Sequence, residues 1–368
     1  MVQFRGSGSN RRMNKLRRKL AQQLVNSWHV RGAINYLLLP VSAVYGALIK
    51  LRRRLFLAGV FASHRVNAVV LVVGNVMAGG AGKTPTVVEI ARHLTQLGLQ
   101  VGVITRGYGR TSKKLQLVRP DSSPEVVGDE PLLIHQATQC PVMVGTSRFA
   151  AATALLALHP DIEVLLCDDG LQHYGLHRDI EVCVFDDRGI GNGWMLPAGP
   201  LREPWPRILL KSCGQSAHNS LVLNTGAKQF VAGFKARRSL EPFAVTRDGA
   251  RIAITEVLRG ATKPFYAVAG IAQPKVFFAM LRALEVPLAG AQSLADHDDF
   301  AQFDPALAQK FTLLCTEKDA RKLWQLAPDA LAMPLEQTTE PAFFETLDNL
   351  VVESLAAKLP LRHGHKIA

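Results

Sequence analysis

Apolar positions in this chain fall into short unbroken runs, separated by stretches of helical spacing and by glycine-rich turns. The clearest run is residues 69–73, five consecutive valines or leucines. A run of that length and type, bounded by a turn, predicts a strand buried on both faces of a parallel sheet. It breaks at Gly74-Asn75-Val76-Met77-Ala78-Gly79-Gly80-Ala81-Gly82, and helical spacing follows over 87–98. Further strands are predicted at 100–105, 141–145, 163–167, 180–185 and 221–224, with helices over 131–137 and 148–158. Alternation of strand and helix predicts a doubly wound, three-layer α/β/α domain. Residues 230–234, 243–245 and 251–254 alternate polar and apolar instead, which predicts antiparallel strands forming a β-ribbon linker. A smaller α/β domain then opens with a strand at 265–269, a helix at 275–284 and a strand at 311–315. The predicted division is 1–60, 61–225, 226–262 and 263–368.

The N-terminal region follows a different pattern. Residues 11–24 have helical spacing, with Leu16, Leu20 and Leu24 on one face. Residues 33–49 are seventeen positions without a charge, interrupted by Pro40, and Lys50 and Arg52 to Arg54 follow. Charge sharpens the picture. The net charge is +13, yet twelve of the 43 lysines and arginines fall within residues 1–54, which hold no acid; the remaining 31 face 30 acids. The body is nearly neutral, which argues against nucleic acid, and the basic, acid-free N-terminus predicts an anionic membrane surface. Seventeen residues is short for a span, which takes about 20. No small-residue cleavage site follows, so a signal peptide is not expected. We read the segment as a membrane-associating helix lying in the interface; a spanning helix and a buried helix are the alternatives. Five scattered cysteines without a C-x-x-C predict a reducing compartment and neither disulfides nor a zinc site.

Candidate chemistry concentrates where strands end. The glycine-rich turn closes on Gly82-Lys83-Thr84 and runs into a helix. Its backbone N–H groups suit phosphate oxygens, Lys83 supplies charge, and the Thr84 hydroxyl suits Mg²⁺. That is a P-loop, with Met77 where the first glycine of the common pattern stands, and it implies ATP and hence a cytoplasmic body. The strand over 163–167 ends in Asp168-Asp169-Gly170-Leu171-Gln172-His173. An apolar strand ending in Asp downstream of a P-loop holds a carboxylate near that Mg²⁺. Arg106-Gly107-Tyr108-Gly109-Arg110 leaves a neighbouring strand, where its arginines would reach phosphates or form a solvated turn. Asp129 and Glu130 stand before a helix and fit simple capping. Residues 192–206 are too rich in Pro and Gly for a helix or central strand and read as a functional loop or a linker.

Taken in order, these motifs resemble the tetraacyldisaccharide 4′-kinase (lipid A 4′-kinase) family. The resemblance runs from Leu37 to about Val351. It rests on Leu39-Pro40-Val41-Ser42-Ala43-Val44-Tyr45, the Gly74-to-Pro85 loop, Thr105-Arg106-Gly107-Tyr108-Gly109-Arg110, Gly128-Asp129-Glu130-Pro131 and Asp168-to-His173. Gly199-Pro200-Leu201-Arg202-Glu203-Pro204, Ala269-Gly270-Ile271-Ala272, Asp296-His297 and Thr316-Glu317-Lys318-Asp319 complete it. It implies transfer of the γ-phosphate of ATP to the 4′-hydroxyl of a tetraacylated glucosamine disaccharide 1-phosphate, giving lipid IV-A. The expected setting is the cytoplasmic side of a bacterial inner membrane, with the enzyme peripheral or monotopic and monomeric. It implies Asp129 as general base, helped by His297; phosphates on Lys83 and on Gly79, Gly80, Ala81, Gly82 and Thr84; and Mg²⁺ on Thr84 with Asp168 or Asp169, joined by Glu203. Arg148, Gln172, His173 and Arg202 are secondary contacts. Three features depart from the family: hydroxyl residues are usual where Met77 and Ala81 stand, which should weaken nucleotide binding; a second histidine is common where Asp298 stands; and the polar N-terminal extension is longer than expected.

A membrane-bound ATPase switch of the partition or positioning type also uses Gly-Gly-x-Gly-Lys-Thr. Such proteins carry an additional lysine early in the loop, and neither Met77 nor Ala78 is lysine. A switch also has no use for a second domain bearing Asp296-His297.

Overall fold

A computed structural model of the chain describes residues 23–80, 82–207, 218–296, 298–301 and 303–358. Among these, nine strands form one sheet and six form a second. The larger contains β1 (Val69–Gly74), β2 (Val101–Thr105), β3 (Gln116–Leu117), β4 (Val142–Val144), β5 (Val164–Asp168), β6 (Ile180–Phe185), β7 (Ser220–Asn224) and β8 (Phe234–Leu240). Its order is β15-β8-β7-β6-β1-β5-β2-β4-β3, where β15 is Leu335–Thr339. The core strands are parallel, with β3 and β15 antiparallel at the two edges. Every residue of β1 is buried, as an unbroken apolar run in a parallel sheet requires. Helix α3 (Lys83–Gln96) buries Thr86, Val87, Ile90, Ala91 and Leu94, the 3–4 spacing of one helical face.

The smaller sheet has the order β10-β9-β14-β13-β11-β12. Its strands are β9 (Phe243–Val245), β10 (Arg251–Ala253), β11 (Phe265–Ala269), β12 (Leu288–Ser293), β13 (Thr312–Thr316) and β14 (Leu331–Met333). Expected and observed organisation differ here. A β-ribbon does join the domains, but it is built from β8 and β15, an antiparallel pair attached to the larger sheet through β7, whereas β9 and β10 belong to the smaller sheet. Nor does the smaller unit run on to the C-terminus. The chain crosses back at β15, which pairs with β8, and the last helix (Pro341–Lys358) buries Phe343, Leu347, Leu350 and Val351 in the larger core. Glu89 on α3 accepts hydrogen bonds from Gln337 and Thr339 of β15, so the returning strand braces the helix behind the glycine-rich turn.

The N-terminal apolar segment forms α1 (Ala33–Leu37) and α2 (Leu39–Leu57). Pro40 sits in the first turn of α2, where its missing N–H costs nothing, so it restarts the helix instead of breaking it. No helix among the described residues is long and apolar enough to cross a membrane. The amphipathicity of α2 is inverted. Its buried positions are Ser42, Gly46, Arg53 and Phe56, while Val41, Val44, Leu48, Leu51 and Leu57 are exposed. The inward face docks by polar bonds onto residues 192–206: Ser42 Oγ donates to Met195 O (2.6 Å) and the Tyr45 hydroxyl to Arg202 O (3.0 Å). From α1 and the turn before it, Asn35 Nδ2 reaches Ala198 O (2.9 Å) and Trp28 Nε1 reaches Pro197 O (3.0 Å). The Pro- and Gly-rich stretch is therefore the seat of the N-terminal helices.

Candidate active site

Strand register builds the first half of the site. Val73 pairs with Asp168, so the acid at the end of β5 stands beside the last residues of β1, where the glycine-rich turn begins. Thr105, at the end of β2, donates to Asp168 Oδ2 (3.0 Å). Oδ1 of Asp168 is buried without a hydrogen-bond partner. Burial, with repulsion from Glu130 and Asp169, pushes the Asp168 carboxyl up to about 7, against partial opposition from Lys83 and Thr105. An unpaired carboxylate oxygen at this strand end fits a divalent cation. Among the described residues no group of three His, Cys, Asp or Glu could hold a metal, so a cation here would draw on a hydroxyl and on ligand oxygens as well.

Asp169 adopts a left-handed backbone (φ 48°), an uncommon conformation outside glycine. Its carboxylate pairs with Arg202 Nη1 (3.1 Å) and lies 3.6 Å from Lys83 Nζ. Burial opposes its ionisation, but Lys83 and Arg202 outweigh burial and lower its pKa. Lys83 also donates to Asn75 Oδ1 (3.4 Å), while Asn75 Nδ2 ties back to Gly79 O (3.1 Å). Gly82 precedes α3 in a left-handed conformation (φ 81°); a Cβ there would come within 3.0 Å of Arg238 and Thr225, so only glycine fits. Met77 is buried in an apolar cluster with Leu171 and Leu201, so its side chain fills core. Ala78 N and Arg202 N bond to Pro200 O and Val76 O, which fastens the Gly199-to-Pro204 motif along the entry to the turn. Ala81 lies outside the described residues.

The remaining candidates from the sequence divide into two kinds. Gln172 Nε2 bridges Asn75 O (3.1 Å) and Glu203 Oε1 (2.8 Å). His173 is driven down to about 3 by burial and by Arg148, Arg106 and Arg52, against the pull of Asp169, so its ring is neutral at pH 7. Arg148 is buried and donates to Gly145 O (3.0 Å) and Asp168 O (3.2 Å), which makes it a prop for the end of β5. Glu203 does not stand free for a ligand. Its buried carboxylate accepts from Gln172, Tyr174 and Arg53, with Arg207 at 3.4 Å.

The other candidate acids lie where the two domains meet. Asp129 and Glu130 open the helix Asp129–Thr138, but neither side chain caps it. Gly128 (φ 98°) is the N-cap, so both acids stand in the first turn, where they suit the helix dipole, and each also pairs with a lysine. Lys322 Nζ lies 2.6 Å from Asp129 Oδ2, and Lys318 Nζ lies 3.1 Å from Glu130 Oε1 and 3.4 Å from Asp296 Oδ1. His297 lies outside the described residues.

Several residues here carried no signal in the sequence. Arg188 donates to Gly80 O while Asp186 grips its guanidinium, and Gln273 from the smaller domain donates to Asp186 Oδ2 (2.5 Å). Arg178, wholly buried, donates to Leu171 O and His173 O and fixes the Asp168-to-His173 loop. Only the position of Arg188, just past the end of a strand beside β1, hinted at a role.

Against this geometry, residues 34–352 match the family model described as tetraacyldisaccharide-1-P 4′-kinase. A tetraacyldisaccharide 4′-kinase of Polaromonas naphthalenivorans is 48% identical over 352 residues, covering 94% of this chain and 99% of that protein. One of Herminiimonas arsenicoxydans is 42% identical over 365 residues, covering 96% and 98%. A crystal structure of LpxK from Aquifex aeolicus in complex with ATP superposes with a TM-score of 0.71 at 27% identity, covering 88% of this chain and 99% of that one.

Proposed function

The chain belongs to the tetraacyldisaccharide 4′-kinase family, and from that membership we propose how its residues carry the reaction. It is an ATP-dependent kinase of lipid A biosynthesis: the γ-phosphate of ATP passes to the 4′-hydroxyl of a tetraacylated glucosamine disaccharide 1-phosphate, giving lipid IV-A. The observation that best supports a phosphoryl-transfer site is the register of Val73 with Asp168, which sets a buried carboxylate with an unpaired oxygen beside the glycine-rich turn.

We assign the ATP phosphates to Lys83 and the turn amides from Gly79 to Thr84. Mg²⁺ goes to the Thr84 hydroxyl and Asp168, since Asp169 is already engaged by Lys83 and Arg202. When bound, the ion neutralises charge on the transferring phosphates. Glu203, expected among the metal ligands, is reassigned to anchoring: three donors and the Arg207 guanidinium surround its carboxylate. Arg202 and Gln172 hold Asp169 and the loop entry, and neutral His173 is available to the sugar. Asp129 takes the proton of the attacking 4′-hydroxyl, with His297 orienting it. Because Asp129 meets the smaller domain through Lys322, domain docking shapes the base, and closure keeps water from the phosphate.

Membrane attachment follows from the inverted helix. The outward leucines and valines of α2, flanked by Lys50 and Arg54, suit the interface of an anionic leaflet on the cytoplasmic side, where a lipid acceptor and soluble ATP meet. The test is full-length protein with γ-labelled ATP, Mg²⁺ and the lipid disaccharide in mixed micelles. Label recovered with the lipid phase is expected; label found solely as inorganic phosphate contradicts the reading.

A further inference from the structure

Two lysines one turn apart on the helix Glu317–Leu323 face two adjacent acids some 190 positions earlier in the chain. Residues spaced i and i+4 lie on one helical face, so Lys318 and Lys322 form one paired edge. Lys322 Nζ is 2.6 Å from Asp129 Oδ2, and it also donates to Asp298 O (3.3 Å). Neither partner is well exposed, with side chains at 20% and 11%. The helix that carries the lysines is itself fixed. Thr316 caps it, and Asp319 Oδ2 accepts from Gly270 N (2.9 Å) and from the Thr316 hydroxyl (2.7 Å). Lys322 thus reaches Asp129 from a rigid mount in the other domain.

The charges around Asp129 explain why a cation belongs there. Glu130 stands on its own helix. Lys318, Asp319 and Lys322 stand on the facing helix with Arg321, which reaches Ser122 O of the larger domain (3.5 Å), and Asp296 and Asp298 stand on the loop after β12. Asp168, at the end of β5, feels the charge of Glu130. Acids outnumber lysines in this set. Burial and neighbouring acids both disfavour the ionised form of a carboxylate, the form that serves as a base.

We propose that Lys322 is the positioning residue for Asp129: through the 2.6 Å ion pair it holds the carboxylate ionised and fixed at the junction of the two domains. In the chemical step the 4′-hydroxyl proton passes to Asp129 as the O–P bond forms and the bond from the γ-phosphorus to the bridging oxygen of ADP breaks. Lys322 takes no part in the proton transfer. The sister pair, Lys318 with Glu130 and Asp296, holds the two domains at the same angle and prevents Glu130 from adding to the repulsion. This rests on the reading of Asp129 as the base.

The experiment is the pH profile of kcat/KM for the lipid acceptor, pH 5.5 to 9, on full-length enzyme in mixed micelles. Wild type is compared with Lys322→Met, Lys322→Arg and Lys318→Met. Removing the cation raises the pKa of the base, so the acid limb for Lys322→Met should move up by about one pH unit or more. Activity should then fall further at the acid end of this range than at pH 8.5, with KM for ATP unchanged. Lys322→Arg should restore most of the limb, and Lys318→Met should move it less. If Lys322→Met does not fold, Lys322→Gln carries the same test. A loss equal at every pH, or no loss, overturns the proposal, as does an equal shift from Lys318→Met. Asp129→Ala separates the two levels. Near wild-type turnover there would sink the base assignment itself, whereas an inactive Asp129→Ala with an unmoved limb in Lys322→Met sinks only the role of Lys322.

Discussion

Arg53 Nη1 lies 3.1 Å from Glu203 Oε2, and both side chains are almost wholly buried. Of the basic residues that end the N-terminal apolar segment, Arg53 is the buried one; Arg54 stays exposed, and Arg52, though exposed, donates to Gln172 O (3.0 Å). Glu203 in turn accepts from Gln172, which holds Asn75 O at the phosphate turn. A surface helix is thereby linked to the glycine-rich turn through one buried carboxylate. Removing one partner of a buried pair leaves a charge uncompensated, a loss of about 3–5 kcal/mol. Arg207, 3.4 Å from the same oxygen, softens this. Arg53→Met should therefore destabilise by about 3 kcal/mol in urea unfolding. An unchanged midpoint would show the pair to be incidental.

The outward face of the same helix should behave in the opposite way. Leu48 is 58% exposed and Val44 61%. Replacing both by Glu removes little packing, so stability should shift by less than about 0.5 kcal/mol per site. Flotation with vesicles containing anionic lipid should drop severalfold. Undiminished flotation would rule out this face as the membrane contact.

What could be read from the sequence was local. The valine-rich run of β1, the turn ending in Gly82-Lys83-Thr84 and the strand ending in Asp168 each declare themselves within a few residues, because strand, turn and helix start have short-range signatures. What escaped depends on distant pairing. Strand β15 lies about 100 positions from its partner β8, and its side chains alternate too weakly to announce a return to the larger sheet. Lys318 and Lys322 look like an ordinary solvated helix edge until Asp129 and Glu130 are brought opposite. Glu203, one residue past Arg202, looked like a free acid near the metal, and only the fold shows how many donors surround it. The inverted α2 was legible only in part: its polar positions face protein, and a charge-free run gives no sign of which side is buried.

Asp168 supplies a pH signature. Folded and metal-free, its carboxyl is raised to about 7, mainly by burial, against an ordinary 3.8. Between those values the folded state binds more protons than the unfolded, so this group's contribution to stability falls as pH rises and levels off above about 7. Asp168→Asn removes that loss. In EDTA, the gap in urea midpoint between variant and wild type should widen in favour of the variant from pH 5 to pH 8. A gap independent of pH would mean the carboxyl is not raised.

Arg188 tests the nucleotide end. It holds the Gly80 carbonyl, is gripped by Asp186, and through Asp186 connects to Gln273 of the smaller domain. A charge-assisted hydrogen bond of this kind contributes roughly 1.5–3 kcal/mol. Arg188→Ala should raise KM for ATP about tenfold or more while leaving KM for the lipid near its original value. An unchanged KM for ATP would remove Arg188 from the site.

The central claim is that one site is completed by two domains, with Asp129 accepting the proton of the lipid hydroxyl. The most direct measurement is turnover by Asp129→Ala with ATP and lipid acceptor both saturating. General-base catalysis is worth about 10²–10⁴-fold, so kcat should fall by that factor while ATP binding persists. Turnover near the wild-type rate would contradict the account.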